Sequence, residues 1–465
     1  MAHGIRHELV GMLLLAAAPA LGGCSGAVDE GDESSSLGQL EEAFGAGRHS
    51  PREDAPEISA AEWEAFATFS PLPEPPPDTT NAYADSKQAR ALGQRLFFDP
   101  AFSGPLRVAS DLGAVGEVGK VSCASCHSGK FLDDERSLPR NVSLGTDFHT
   151  RNAPAIVNSS FYAWTNWGGR FSAQWELPIA VVESGIIMNG NRLQVAHRLF
   201  DVYRRPYEKV FGPLEPALGS DPARFPPAGK PKAAATDPDG AWELMAAADR
   251  DLVDRIFVNF SKALGAYFRA LVSQDSPFDR FVAGNDCGMS PAAQRGAQLF
   301  IGKARCAGCH SGPNFSDDRF HNLGVPQIGE HVPAVDPGRF GNVAALLSSR
   351  FNSAGTFSDD PAEGARRLEG LTVPMPDTTQ GAFRTAGLRG VAETEPYMHS
   401  GQFATLEQVI DFYDAGGGTP AVGTKTPRLQ PLALTPEEKA DLVQFLKSLS
   451  GEAPPRHLVR DTSLR

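Results

Sequence analysis

Apolar residues recur at helical spacing in four stretches of the chain. "TPEEKADLVQFLKSLSG" begins with Thr435 and Glu438 at capping-box spacing and ends at Gly451, which predicts an amphipathic helix. "SKQARALGQRLFFDPAFS" and "SPAAQRGAQLFIGKARC" each predict a helix with Leu and Phe near its end. The stretch "DLVDRIFVNFSKALGAYFRALVS" places six apolar residues on one helical face: Leu252, Ile256, Phe260, Leu264, Tyr267 and Leu271. The pattern predicts these four segments as α-helices.

Long stretches without periodicity separate these helices. "GPLEPALGSDPARFPPAGKPKAAATDPDG" and much of 324–380 are rich in Pro and Gly and predict loops. Long connections with few regular elements are usual where a large cofactor supplies part of the core.

A pentapeptide, C-x-x-C-H, occurs twice, and its surroundings repeat with it. Each copy follows one of the two short predicted helices, and each is followed by Ser-Gly and then by an aromatic residue and an acidic pair. This repeat predicts two similar halves. In an exported protein the pentapeptide indicates covalent haem c attachment, by Cys123, Cys126 and His127 in one half and by Cys306, Cys309 and His310 in the other.

A zinc ion is the alternative to haem as the group that these residues could bind. Two paired Cys and His motifs could pool four ligands around one structural zinc ion. That interpretation leaves the repeated Ser-Gly and the repeated flanking helices unexplained, so haem is favoured.

The N-terminus, residues 1–24, predicts a secretory signal. Arg6 precedes an apolar run from Leu9 to Leu21 that is too short for a stable membrane-spanning helix. The ending "LGGC" resembles a bacterial lipobox, which would attach lipid at Cys24; an ordinary signal peptide with an incidental cysteine is the alternative. Residues 25–80 are then expected to form a flexible acidic tether, and the protein is expected in the periplasm, anchored to the cell envelope.

Net charge and cysteine content limit which partners and which disulfide bonds are expected for this protein. The net charge of −13 argues against a nucleic acid partner and permits a basic protein partner. Of six cysteines, Cys24 and the two haem motifs account for five, so Cys287 is expected to be unpaired.

From about residue 85 to residue 452 the chain resembles the bacterial di-haem cytochrome c peroxidases and the related MauG-type enzymes. The motifs that carry the resemblance include "RNAPAIVNSSF", "NWGGRF", "CHSGPNFSDDRFHNLGV" and "FRTAGLRGVAETEPYMHSGQFATLEQVIDFY". The resemblance implies a mainly α-helical fold of two cytochrome c-like domains, 81–284 with the peroxide-binding haem and 285–455 with the electron-transfer haem, followed by a tail, 456–465. It also implies hydrogen peroxide as substrate, a small cytochrome c as electron donor and a possible homodimer.

The resemblance also assigns residues around the haems. Trp167 in "NWGGR" matches the tryptophan that lies between the two haems in the family. Asn152, Thr394 and Pro396 match positions that bind calcium, and oxygen donors of this kind suit that cation. His399 matches a family histidine with an expected local structural role.

At the second haem the sequence departs from the peroxidases. Their distal methionine aligns with Tyr413, and MauG-type enzymes use tyrosine at this position. A tyrosine oxygen favours ferric and higher oxidation states, whereas methionine favours ferrous iron. Met398 lies nearby in sequence but aligns with a position that is not a ligand. The alternative is that Tyr413 is an ordinary helix aromatic.

At the peroxide-binding haem the family's glutamate and glutamine align with Ile187 and Leu177, neither of which can transfer a proton. Glu183 lies four residues before Ile187 and is expected on the same face of a helix, where it could take over proton transfer. The alternative is an exposed helix carboxylate.

The sixth ligand of the first haem is also open. The family's loop histidine aligns with Leu144, while His149 lies in the same loop, and an open iron site is the favoured expectation.

Three functions fit these residues. The first is a peroxidase that reduces hydrogen peroxide to water, and the second is a MauG-type oxidase acting on a protein or organic substrate. The third is an electron-transfer protein whose peroxide site has been lost.

Overall fold

The computed structural model describes residues 54–138 and 140–464. The predicted signal peptide and Cys24 lie outside these ranges. The α-helices in the described ranges are α1 Ala60–Ala67, α2 Lys87–Phe98, α3 Leu177–Glu183, α4 Arg192–Asp201, α5 Arg204–Phe211, α6 Ala241–Leu244, α7 Ala247–Arg269, α8 Pro277–Val282, α9 Pro291–Ile301, α10 Arg339–Ser348, α11 Pro361–Leu368, α12 Leu406–Asp414, α13 Pro436–Lys447 and α14 Arg456–Val459. One short antiparallel pair, β1 (Phe320–His321) and β2 (Phe383–Arg384), is the only sheet in this part of the chain. The fold is mainly α-helical, as the resemblance implied.

Two helix pairs repeat the same crossing. α2 packs on α7, and α9 packs on α13. Gly93 of α2 lies so close to α7 that an added Cβ would stand 2.0 Å from the Ala263 carbonyl oxygen. Gly296 of α9 meets the Asp441 carbonyl oxygen of α13 at 2.1 Å in the same way. Each glycine lies four residues before the phenylalanine of its repeat, so the repeat in sequence corresponds to a repeat in packing.

The apolar side chains form two separate cores. The first core is built mainly from α2, α3, α4 and α7 and has Trp175, Phe257 and Tyr267 at its centre. The second core is built mainly from α8, α9, α12 and α13, around Phe300, Phe315 and Phe445. Each C-x-x-C-H motif follows the first helix of its own pair, α2 or α9. Cys123 contacts the first core and Cys306 the second.

Residues 54–80 differ from the expected flexible tether. α1 begins at the capping box formed by Ser59 and Glu62 and carries Trp63 and Phe66 toward the second core. The Trp63 ring stacks on Phe281 of α8 at 4.9 Å between centroids. The acidic composition suggested a solvated segment, but three aromatic side chains in seven residues (Trp63, Phe66 and Phe69) supply enough apolar surface to fix it.

The C-terminal tail crosses to the opposite half. α14 buries Leu458 in the first core, and the Tyr267 hydroxyl of α7 donates to the Leu458 carbonyl oxygen at 2.7 Å. The segment before the first domain therefore packs on the second core, and the segment after the second domain packs on the first.

Two further observations concern expectations from the sequence. Cys287 is disulfide-bonded, so the expectation of an unpaired cysteine was wrong; an exported protein meets an oxidising compartment that permits such a bond. Within the described ranges, no helix has both the length and the apolar character needed to cross a bilayer.

Candidate haem centres

The first motif presents a histidine oriented for metal binding. A short 3-10 turn, Cys123–Ser125, leads into His127, whose Nδ1–H donates to the Leu132 carbonyl oxygen at 2.9 Å. This hydrogen bond fixes the tautomer and leaves Nε2 as the free lone pair that an iron ligand needs. Burial lowers the pKa of His127 to about 4, so the imidazole is neutral at physiological pH.

The second motif repeats this geometry. The turn Cys306–Gly308 leads into His310, whose Nδ1–H donates to the Phe315 carbonyl oxygen at 3.0 Å. Burial lowers the pKa of His310 as well. In both halves the accepting residue comes five positions after the histidine and has a left-handed backbone, with φ of 55° at Leu132 and 52° at Phe315. This shared conformation directs each carbonyl oxygen at its imidazole.

Most of the cysteine thiols of the two motifs are buried. Burial raises the pKa of Cys123, Cys126 and Cys306 to about 12. Cys309 differs, because a hydrogen bond with His321 lowers the pKa of its thiol. Two cysteines and one histidine form, in each half, the donor set that covalent haem c requires.

A cavity of about 500 Å³ surrounds the second motif. Tyr413 of α12 lines it together with Cys306, Cys309 and His310, so the structure brings the predicted distal tyrosine to the second motif. Burial and the two neighbouring thiols raise the pKa of Tyr413. Met398 lines the same cavity.

Trp167 and the predicted calcium ligands meet at one wall of this cavity. The Trp167 indole N–H donates to the Asn152 carbonyl oxygen at 2.7 Å, and the Asn152 side-chain amide donates to the Pro396 carbonyl oxygen at 2.8 Å. Thr394 lines the same wall. The Asn152 Oδ1 atom is buried and has no hydrogen-bond partner, so an oxygen donor is available beside the Pro396 carbonyl.

His399 lines the same cavity, and its Nε2 lies 2.9 Å from Gln327 Nε2. Its carbonyl oxygen accepts from the Asn152 backbone N–H at 2.9 Å, and its ring stacks on Phe383 at 3.5 Å between centroids. Burial lowers the pKa of His399 to about 3. These contacts give it the position of a packing residue beside the wall.

The helix expected to carry both Glu183 and Ile187 ends at Glu183, so the two residues do not share a helical face. The carboxylate of Glu183 is bound by the Arg192 guanidinium, with Oε2 2.6 Å from Nη2 and Oε1 2.9 Å from Nε. Arg192 also pairs with the fully buried Asp254 at 2.5 Å. The sequence argument assumed a continuous helix, but the chain turns after α3 so that the Asn189 and Gly190 backbone N–H groups can bond back to Ser184 and Val182.

The loop of residues 144–149, which contacts the first motif, begins with an apolar residue. Leu144 is buried, and its carbonyl oxygen lies 3.5 Å from the Cys126 sulfur. The backbone N–H of Thr146 donates to the Ile187 carbonyl oxygen at 2.8 Å, which joins this loop to the turn after α3. His149 is held at the loop's end, where its Nδ1 accepts from the Arg151 backbone N–H at 3.0 Å. Leu177 is the first residue of α3.

The sequence interpretation missed a polar group at the second motif. Cys309, Asp317 and His321 present their side-chain ligand atoms within 4.8 Å of one another. His321 Nε2 lies 3.2 Å from Asp317 Oδ2. Because Cys309 is one of the two thiols of the second motif, this group belongs to the haem site. The close spacing of Asp317 and His321 after the motif was the available signal.

Comparisons with known proteins agree with this geometry. The family model described as di-haem cytochrome c peroxidase matches residues 87–287. The chain is 34% identical over 409 residues to the cytochrome-c peroxidase IdrP1 of Denitromonas iodatirespirans, covering 86% of this chain and 91% of the relative. It is 31% identical over 371 residues to the methylamine utilization protein MauG of Methylorubrum extorquens, covering 78% of each.

A crystal structure of a MauG-like protein associated with microbial copper homeostasis is similar in fold. It aligns with a TM-score of 0.57 at 25% identity, covering 84% of this chain and 97% of that protein. Two c-type haem domains are consistent with the family and with the repeated histidine geometry. Together these findings show that the chain belongs to the di-haem cytochrome c peroxidase family.

Proposed function

We propose that this protein is a di-haem peroxidase that reduces hydrogen peroxide to water with electrons from a small cytochrome c. The observation that carries the proposal is the paired arrangement of His127 and His310, each held at Nδ1 by a carbonyl oxygen five residues later. Nearly full-length similarity to a cytochrome-c peroxidase supports the same reaction. The exported, haem-binding character of the sequence fits a periplasmic site of action.

The chain's own residues would hold and orient two haem c groups. Cys123, Cys126 and His127 would hold the first, and Cys306, Cys309 and His310 the second. When bound, haem c supplies the redox-active iron at which peroxide is reduced and through which electrons arrive. Each histidine is neutral because burial lowers its pKa, and each is fixed by its Nδ1 hydrogen bond, so its Nε2 is directed at one point.

Trp167 is the residue through which we propose that electrons pass between the two haems. Its indole is fixed by the hydrogen bond to the Asn152 carbonyl oxygen, and it lines the cavity that also contains His310. A fixed aromatic ring in this place would shorten the electron-transfer steps.

Tyr413 supports a second candidate function, oxidation of a protein or organic substrate in the manner of MauG-type enzymes. Its ring lies in the cavity of the second motif. A phenol oxygen near the second iron would favour ferric and higher oxidation states, which suits long-lived oxidising equivalents.

Glu183 is still the proposed proton-transfer residue at the first haem. Its carboxylate is held by Arg192, so proton transfer would require that ion pair to open. Replacing Glu183 with Gln removes the ionisable group while keeping the side-chain length. If Glu183 carries the proton, E183Q should lose reaction with peroxide; rates equal to those of the unmodified protein would exclude it.

Calcium is proposed at the wall formed by Asn152, Thr394 and Pro396. The unpartnered Oδ1 of Asn152 and the adjacent Pro396 carbonyl oxygen are the hard oxygen donors that this cation prefers. Asp133 lines the same cavity, and burial raises the pKa of its carboxyl to about 6.

The cell envelope is the proposed location, and a lipid anchor at Cys24 would exclude that thiol as the disulfide partner of Cys287. The acidic net charge of −13 would attract a basic cytochrome at low ionic strength. A homodimer is part of the same proposal, by resemblance to the family.

One experiment separates the candidate functions. Ferric, haem-loaded protein is mixed with one equivalent of peroxide and then with reduced cytochrome c, while the haem bands and the donor's oxidation are followed. Rapid catalytic oxidation of the donor would establish the peroxidase. A long-lived oxidised haem pair with slow donor turnover would favour the MauG-type reaction. Absence of reaction before and after one-electron reduction would contradict both.

A further inference from the structure

The segment that precedes the first haem domain contacts the iron-ligand loop of the second. Phe69 follows α1, is fully buried, and stacks on Phe315 with 5.0 Å between ring centroids and 21° between planes. Phe315 is the residue whose carbonyl oxygen accepts from His310 Nδ1. Phe69 is therefore one contact away from the hydrogen bond that orients the proposed ligand of the second iron.

Phe315 needs such support because of its backbone. Its φ of 52° lies in the left-handed region, which a bulky side chain adopts only when its surroundings enforce it. Phe69, Phe278, Phe300 and Phe445 surround its ring, and Phe69 is the only one of these four that makes a near-parallel stack with it. The other three belong to α8, α9 and α13 of the second core, whereas the near-parallel ring comes from the N-terminal segment.

A buried arginine joins the same two segments. Arg389 donates from Nη2 to the Phe69 carbonyl oxygen at 3.0 Å and from Nε to the Pro313 carbonyl oxygen at 2.6 Å. Its charge is balanced by Asp279, which contacts both Nη atoms at 2.7 and 2.9 Å. The Ser70 hydroxyl donates to the same carboxylate at 2.6 Å. The ligand loop is thus fixed to residues 69–70 through its backbone as well as through the Phe315 ring.

The first domain does this differently. Leu132 has the same left-handed backbone, but its carbonyl oxygen also accepts from the Ile156 backbone N–H at 3.2 Å, and the preceding carbonyl accepts from Val157. That loop is held by backbone hydrogen bonds within its own domain. Among the described residues, no backbone N–H is bonded to the Phe315 carbonyl oxygen.

We propose that Phe69 is a positioning residue for the second haem: by fixing Phe315 it strengthens the hydrogen bond from His310 Nδ1, and so lowers the reduction potential of that haem. A strong Nδ1–H bond to a carbonyl makes the imidazole a better donor to iron and favours the ferric state. The proposal rests on the proposed function for His310 as an iron ligand. It gives the N-terminal segment a part in setting the difference in potential between the two haems.

The test compares F69A with W63A in the full-length, haem-loaded protein. Trp63 lies in the same segment and packs on α8 without contacting Phe315, so W63A is a matched control for loss of apolar burial. Redox titration followed by absorbance gives both potentials, the ferric EPR spectrum reports the histidine geometry, and thermal unfolding reports stability. We expect F69A to shift the second haem's potential upward and to change its EPR g-values, with the first haem unchanged. W63A should lower stability without either change.

Equal destabilisation by F69A and W63A with unaltered second-haem potential and EPR spectrum would overturn the proposal. If F69A does not fold, F69L fills most of the space without a flat ring and should still shift the potential; an unchanged potential in F69L would also overturn it. The number of haems per chain distinguishes failure of this proposal from failure of the proposed function. If the second motif does not bind haem, the protein has one haem and one reduction potential whether or not Phe69 is replaced.

Discussion

At the scale of single residues, the site depends on a few buried groups whose charge state is fixed by their surroundings. Burial lowers the pKa of His127 and of His310, and Nδ1 of each donates to the carbonyl oxygen five residues later. Burial raises the pKa of Tyr413, and the nearby Cys306 and Cys309 thiols raise it further. An iron ion beside it would supply the positive charge that a phenolate needs.

Tyr413→Met should raise the potential of the second haem by on the order of a hundred millivolts, because a thioether favours ferrous iron. Tyr413→Phe is the control, since it keeps the ring and removes only the oxygen. Redox titration of the two haem bands measures the change. Identical potentials in the unmodified protein and Y413M would show that this oxygen does not reach the iron.

Asp279 gives a pH-dependent contribution to stability. Burial alone would raise the pKa of its carboxyl, but hydrogen bonds from Arg389 lower it from 3.8 to about 2. A carboxyl with a lowered pKa in the folded state stabilises the protein above pH 3.8, and that contribution, about 2 kcal/mol, is lost as the pH falls toward 2. We expect D279N to melt at lower temperature than the unmodified protein at pH 7 and the two curves to converge near pH 2. A difference that stays constant with pH would contradict this assignment.

At the scale of helices, the sequence repeat corresponds to one packing motif used twice. α2 crosses α7 at Gly93, and α9 crosses α13 at Gly296, with a carbonyl oxygen of the partner helix where a Cβ would lie. The apolar spacing of α7 and the capping box of α13 made these helices predictable from sequence. The end of α3 at Glu183 was not predictable in the same way, because the turn after it depends on hydrogen bonds formed only in the folded chain.

Gly93→Ala should separate α2 from α7, since the added methyl would overlap the Ala263 carbonyl oxygen. Overpacking of this kind costs about 1–3 kcal/mol, and we expect a lower melting temperature and reduced haem loading of the first motif. Gly240→Ala is a matched control because only the flexible Glu243 side chain lies near the new Cβ. Equal melting temperatures for G93A and G240A would contradict the close helix crossing.

At the scale of the whole molecule, the two chain ends are exchanged between the halves. Residues 57–70 pack on the second core and residues 456–464 on the first. The sequence predicted a flexible tether and a tail for these two ends. Their packing on distant parts of the chain leaves no periodic pattern in the local sequence from which it could be predicted. The haem-binding residues were predictable because they lie within one pentapeptide. The contacts of Phe69 with Phe315 and of Tyr267 with Leu458 join residues that are distant in sequence.

Deleting residues 456–465 should destabilise the first half. The Tyr267 hydroxyl donates to the Leu458 carbonyl oxygen, and Gln94 donates to the carbonyl oxygens of His457 and Arg460 at 2.7 and 3.1 Å. Without the tail these buried donors lose their acceptors, at about 1–3 kcal/mol each, and the apolar burial of Leu458 is lost as well. Thermal unfolding followed at the first haem's absorbance band measures the loss.

Tyr267→Phe in both backgrounds tests the cause of that loss. In the full chain Y267F removes a satisfied hydrogen bond and should cost about 1 kcal/mol. In the shortened chain the same change removes a buried hydroxyl that has no partner, so it should be neutral or stabilising. An equal cost in both chains would mean that the tail does not supply the acceptor. Reversal of the sign would show that the first haem domain is completed by residues that follow the second.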